Sequence, residues 1–257
     1  LGLAALERGF NLRWHVWTLS FASMGYAWMG RWKMALERGE RALAVAEEYD
    51  DASLVCFAAW VLGLANACRG DLARALELGA RAVAVAPTPS DQSWAGATHA
   101  WFLCRAGMLD EGIRSLEEAV VANRAARFIW SEVMATYLAE GYIRAGRLDD
   151  ARTTLKEVSA YCAEHGMAFF GAVADRLRAE VETASGSDAE AGRRFESAIE
   201  ALRRIGGRSE LAEALDGIGR LELERGDPER AATFLDEARA IRQELGALPR
   251  SSAPPRG

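Results

Sequence analysis

Six glycines, each opening a short turn ahead of a helix-like run, recur at near-constant spacing along this 257-residue chain: Gly30, Gly70, Gly107, Gly146, Gly186 and Gly226. Five places after five of them stands an alanine, namely Ala35, Ala75, Ala151, Ala191 and Ala231; after Gly107 the same offset holds Gly112. A side chain that small is needed where two helices cross closely behind a tight turn. Self-similarity at a fixed period in this range means supersecondary units stacked on one another, none of which buries its apolar face alone. The period therefore predicts an all-α chain of about six helix-turn-helix units, curved into a solenoid.

Composition agrees. The chain is rich in Ala, Leu, Arg and Glu, with six prolines, four of them at 228 or beyond, and nothing reads as a strand ladder with hairpin turns. Each unit reads as helix A, turn, helix B. In the second, helix A covers about residues 53–69 and helix B about 72–86, where Pro87 and Pro89 stop it. Helix B of this unit is apolar on nearly every side and so expects neighbours on several faces. The last helix, about 229–245, has a one-sided stripe (Ala231, Phe234, Leu235, Ala238, Ile241, Leu245) that suits a terminal cap. Leu1, Leu3 and Leu6 read as the end of a truncated preceding repeat over residues 1–12. The array proper is expected over 13–246 and a disordered tail over 247–257. The first residue is not Met, and we expect an earlier unit or other domains ahead of it.

Several chemistries are excluded. Net charge is −6; residues 1–130 carry 13 basic and 14 acidic side chains and residues 131–257 carry 18 and 23. Neither half is basic, so the electrostatic footprint of a nucleic-acid binder is missing. His15, His99 and His165 fall in different units, and none has a second ligand at i+3 or i+4, which argues against zinc. No G-x-x-x-x-G-K-[ST] occurs, Gly217-Ile218-Gly219 lacks a third glycine and a preceding strand, and there is no G-x-S-x-G. Acidic neighbours such as Glu117-Glu118 point apart on a helix. We therefore expect no catalytic residue, no cofactor and no metal. Cys56 and Cys68 lie on one predicted helix, roughly 18 Å apart along its axis, too far for a disulfide. The four cysteines read as reduced core thiols in a cytoplasmic, reducing compartment. No apolar run reads as long enough to span a membrane.

The spacing around each turn resembles the tetratricopeptide repeat. That family has a small residue at position 8, a turn glycine near 15, and alanines at 20 and 27. The second unit matches through Leu62-Gly63, Gly70-Asp71, Ala75, Ala82 and Pro87, and the sixth through Gly219, Gly226-Asp227, Ala231 and Ala238. The third and fifth are degenerate, with His99 in a usual Leu place and Arg178 in another. The resemblance covers about residues 13–246 and implies a right-handed α-solenoid. Its period is roughly 40 residues, against about 34 residues in most of the family. Long repeats rich in Ala and Arg are similar in style to the C-terminal helical arrays of LuxR/maltose-activator-type bacterial regulators and of cyclase–ATPase signalling proteins.

In such arrays helix A lines the concave groove, mainly through positions 2, 5, 9, 12 and 13. Counting from the turn glycines, the resemblance places Trp17, Met24 and Trp28 there from the first unit, Phe57, Trp60 and Leu64 from the second, Trp94, Trp101 and Arg105 from the third, and Arg144 from the fourth. The fifth and sixth units contribute charge: Arg176, Glu180, Glu213, Asp216, Arg220 and Glu224. Five of the eight tryptophans thus fall on groove positions, while Trp14, Trp32 and Trp130 read as packing. Aromatic side chains bury much area at little rotamer cost. Either the groove binds a partner or a tightly wound superhelix fills its own axis with these rings. The expected function is a non-catalytic protein–protein interaction module with a protein or peptide partner, an upstream domain of the same chain being one candidate. Two alternatives stay open: a small-molecule sensor arm, and an inert C-terminal part of a cyclase or ATPase.

Overall fold

A computed structural model describes residues 2–126 and 130–248. Its described residues form twelve α-helices and no strand: α1 (Gly2–Trp28), α2 (Trp32–Glu48), α3 (Ala52–Arg69), α4 (Leu72–Val85), α5 (Pro89–Arg105), α6 (Leu109–Ala125), α7 (Ser131–Arg144), α8 (Leu148–His165), α9 (Ala168–Ala184), α10 (Asp188–Ile205), α11 (Arg208–Glu224) and α12 (Pro228–Leu245). They pair as six hairpins, one around each predicted turn glycine.

Each turn is made the same way. The glycine ending the A helix takes a left-handed conformation, with φ from +73° at Gly146 to +102° at Gly70, which costs glycine nothing and any other residue about 1–2 kcal/mol. The next residue then donates its N–H to the carbonyl five positions back: Arg31 to Tyr26, Asp71 to Asn66, Met108 to Leu103, Arg147 to Tyr142, Ser187 to Glu182 and Asp227 to Glu222. This closes the helix and turns the chain at once. At Asp71 and Asp227 the same residue also caps the following helix, its carboxylate accepting the N–H of Arg74 and Arg230.

The joints between units reuse the device. Gly166, Gly206 and Gly246 are also left-handed. Gly166 and Gly206 fall midway between turn glycines and Gly246 follows the last at the same interval, so Gly146, Gly166, Gly186, Gly206, Gly226 and Gly246 form one evenly spaced left-handed series. At the α2–α3 joint Asp50 takes that conformation instead, with φ +52°. Between α4 and α5 the chain is extended, and Pro89 is the first residue of α5, so it opens a helix where it was expected to help end one.

Successive A helices (α1, α3, α5, α7, α9, α11) touch one another, whereas the B helices pack mainly on the A helices beside them. The A helices therefore line the inside of the curve and the B helices its outside. This corrects two expectations. Helix α4 buries a single stripe, Ala75, Leu78, Gly79 and Ala82, and leaves Val83 exposed. It is α3, clasped by α1, α2, α4 and α5, that is covered nearly all round. For that reason α3 is apolar and long enough to cross a membrane by composition, although most of it is buried inside the array. Helix α1 is continuous through residue 12, so residues 2–12 extend the first helix, where the end of an earlier unit was expected. Residue 1 and most of the expected tail lie outside the described residues.

The crossing behind each turn explains the small residues. Ala35, Ala75, Ala151, Ala191 and Ala231 are all fully buried. At Gly112 even a methyl group fails, since a Cβ there would lie 2.5 Å from Cys104 Sγ and 2.7 Å from the Ala100 carbonyl. Gly25, in α1, has nothing within 4 Å of its Cβ direction. We expect Gly112→Ala to destabilise the protein by about 1–3 kcal/mol through overpacking, and Gly25→Ala to stabilise it by about 0.5–1 kcal/mol through helix propensity, both read from urea unfolding midpoints.

His99 of α5 abuts Gly79 of α4, and its Nδ1 is buried without a hydrogen-bond partner. Burial lowers its pKa from 6.5, against the opposing pull of Glu111. Below about 6.5 the unfolded chain thus binds more protons than the folded one, and stability falls as pH drops through that range. His99→Leu should flatten the decline in melting temperature between about pH 7 and pH 5; an unchanged slope would assign the acid sensitivity elsewhere.

Candidate functional site

The aromatic residues counted onto the inner wall meet one another. From the end nearest solvent, Trp14 packs edge-on against Trp17 at 6.1 Å between ring centroids, Trp17 against Phe21 at 6.0 Å, Phe21 against Phe57 at 5.2 Å, and Phe57 against Trp60 at 5.3 Å. Trp60 stacks on Trp94 at 5.8 Å and Trp94 meets Trp130 edge-on at 6.3 Å. Trp130 meets Trp28 at 6.2 Å, and Trp28 in turn packs on Phe169 at 6.3 Å and Phe170 at 5.0 Å. These offset and edge-to-face geometries are those the ring quadrupole favours. The result is an unbroken ladder of ten rings drawn from units one to five.

The ladder runs from open to closed. At its lip Trp14, Trp17 and Phe21 are 54%, 43% and 44% exposed, and Phe57 is half-buried. In its middle Met24, Trp60 and Leu64 are buried in the core. At its far end Trp28, Trp130, Phe169 and Phe170 line a cleft of about 680 Å³, with Met29, Met167 and Ile205 around them. Trp101 lies off the ladder. It is buried and stacked on Tyr137 at 4.5 Å, and the Arg105 guanidinium sits 4.9 Å from its ring centroid.

The structure thus brings Trp17, Trp28, Phe57, Trp60 and Trp94 into one row. Met24, Leu64 and Trp101 are covered by packing. The reason is curvature: α1 ends against the starts of α7 and α9, so Trp28 of the first unit closes over the wall of the fourth and fifth. Counting within single units misses Trp130, Phe169 and Phe170, because they precede position 2 of their helices. The adjacent pair Phe169-Phe170 at a helix start is the available signal. Trp14, expected to be packing, is on the exposed lip; Trp32 is buried as expected.

The remaining wall is ionic. Glu140 accepts a hydrogen bond from Trp101 Nε1 at 2.9 Å and pairs with Arg105 at 3.2 Å and Arg144 at 3.7 Å. Burial alone would raise the Glu140 carboxyl, but Arg105, Arg144 and the indole N–H together hold it below its usual value. Arg176, itself buried, pairs with Glu210 at 2.8 Å and Glu180 at 2.5 Å. Arg242 reaches Asp216 at 3.0 Å and Glu213 at 3.7 Å, and Arg220 also binds Asp216. Arg105 and Arg144 are therefore tied to Glu140 instead of standing free in a groove.

Burial holds the thiols protonated. All four cysteines are free; burial pushes Cys56 and Cys68 up to about 12 and Cys104 and Cys162 up to about 11, so little thiolate exists at neutral pH. Among the described residues no group of three His, Cys, Asp or Glu side chains is placed to hold a metal ion.

Removing the Glu140 charge should leave the half-buried Arg105 without its counter-charge. Glu140→Gln is expected to cost about 2–3 kcal/mol in urea unfolding, whereas Arg203→Ala, which breaks a solvated pair with Glu237 on the outer face, should cost under about 0.5 kcal/mol.

The tetratricopeptide repeat family profile matches residues 16–88 and 172–244. No curated protein sequence matches the chain. Among solved structures, the apo form of RapI is 12% identical, with a TM-score of 0.69 over 90% of this chain and 84% of that one. The Rap conjugation gene regulator of plasmid pLS20, in complex with the Phr* peptide, is 11% identical, with a TM-score of 0.61 over 93% and 76%. BtubC (BKLC) from P. vanneervenii is 16% identical, with a TM-score of 0.57 over 94% and 96%. At such identities the likeness is one of fold.

Proposed function

Since the chain belongs to the tetratricopeptide repeat family, we propose that it is a non-catalytic interaction module that holds a peptide or an extended partner segment against its aromatic ladder. The observation that carries this is the unbroken row of ten rings, exposed at the Trp14–Trp17–Phe21 lip and hollowed into a cleft at the Trp28–Phe170 end. Monomeric proteins rarely leave large rings grouped in water without use, and aromatic anchors dominate binding energy where a partner covers them. The lip offers rings for apolar side chains. A fold neighbour of the same shape is seen with a peptide, which supports a peptide as the partner class. That neighbour is also a gene regulator by its description, and a regulatory role in a larger bacterial signalling protein is part of this proposal.

The test is selection of a displayed random-peptide library on the full chain, followed by anisotropy titration of the enriched sequence. Trp17→Ala and Phe21→Ala should each weaken binding about 30-fold, the equivalent of about 2 kcal/mol. Arg193→Ala, on the outer α10 face, should leave it unchanged. Failure to enrich any sequence, or affinity indifferent to both lip variants, would rule the ladder out as the contact surface.

A further inference from the structure

The first and last units of the array touch. A Cβ on Gly30, in the first turn, would lie 3.0 Å from Leu245 Cδ1 of α12 and 3.1 Å from the Ser209 nitrogen of α11. In the second turn, Gly70 faces Leu248, whose Cβ is 3.5 Å from the Cβ direction of that glycine. The Leu248 N–H donates to the Arg69 carbonyl at 3.0 Å, joining the end of the described chain to its second unit. Of the nine left-handed glycines among the described residues, Gly30 and Gly70 are the two whose Cβ direction meets another part of the protein, and both meet the last unit or the residues just after it. The other seven open onto empty space. On the inner wall, Trp28 makes the matching closure against Phe169 and Phe170.

This seam differs in kind from the joints between successive units. Those bury whole helix faces; at the seam the contacts are a few side chains, Leu245, Leu248, Ser209 and Trp28, and one backbone hydrogen bond. Elements held by few apolar contacts open locally, well before the protein unfolds. We propose that the seam is a clasp: its reversible opening swings α1 away from α9 and α12 and admits a partner to the cleft half of the ladder, while the lip stays accessible in both states. The clasp rests on the reading of the ladder as a binding surface and names its regulation. A partner segment that inserts between Trp28 and Phe170, whose ring centroids are 5.0 Å apart, must displace Trp28, so it binds the open state selectively and shifts the population toward it.

Cys68, half-buried and packed with Tyr26 against the cluster that includes Ala27 near the end of α1, reports opening without any partner. The seam can also be locked: the Cβ direction of Gly30 is 3.5 Å from Ser209 Cβ, within disulfide range. The experiment is N-ethylmaleimide labelling of the full chain, with Cys68 and Cys104 followed by mass spectrometry. The oxidised Gly30→Cys/Ser209→Cys variant should slow Cys68 at least tenfold relative to Gly30→Cys alone, which carries the same backbone strain without the bond. Leu248→Asp should speed Cys68 while leaving Cys104 unchanged. Equal Cys68 rates with and without the lock would overturn the clasp. A working lock in a protein that enriches no displayed peptide would support the clasp and sink the partner reading alone.

Discussion

Everything in this fold depends on the left-handed residue that ends a helix and reverses the chain within a few positions. Helices of nearly equal length, each closed by such a turn, give the even rhythm from Gly146 to Gly246. Because the turn is rigid, with its N–H bonded five positions back, the crossing between paired helices is fixed, and the side chain five places on must be small. Where the pair crosses closest, at Gly112, alanine is already too large. The backbone geometry selects the side chains, and the side chains then set the curvature.

Curvature in turn decides what the aromatic residues do. With A helices inside and B helices outside, rings on position 2 and position 13 of separate helices converge on one axis. The same winding that assembles a ladder also covers its centre, so Trp60 and Trp101 contribute to the core while Trp17 and Phe21 remain in contact with water. A row of rings of this kind is both adhesive between units and adhesive to a guest, and the difference between the two roles lies only in how far round the superhelix the next wall stands.

The hairpin count, the six turns and the all-helical class are legible in the sequence because they are local: a glycine, a cap and a small residue at a fixed offset suffice. Trp32 can be assigned to packing for the same reason. The second series of glycines, at 166, 206 and 246, carries the same signal, but the stronger A–B turn pattern masks it. What is not legible is long-range. The meeting of Trp28 with Phe169 and Phe170 depends on the rotation accumulated over four units, and no spacing within one unit encodes it. Helix α4 looks more enclosed in sequence than it is, and α3 less so, because apolar content alone does not distinguish the inner helix of a curve from the outer one. His99, in a leucine's place, shows the reverse case: the oddity stands in the sequence, and only the packing reveals a nitrogen left without a partner.

The meeting of first and last units has a consequence for descent. Open solenoids grow and shrink by duplicating or losing a repeat, since each copy answers only to its neighbours. Here a hairpin inserted between α2 and α11 would carry Ser209 and Leu245 past Gly30, and the loss of one there would leave them short of it. The contact fixes the number of units between its two sides, so relatives that keep Gly30 tight against the helix equivalent to α12 should keep that interval, while those that lengthen it should have let that glycine drift.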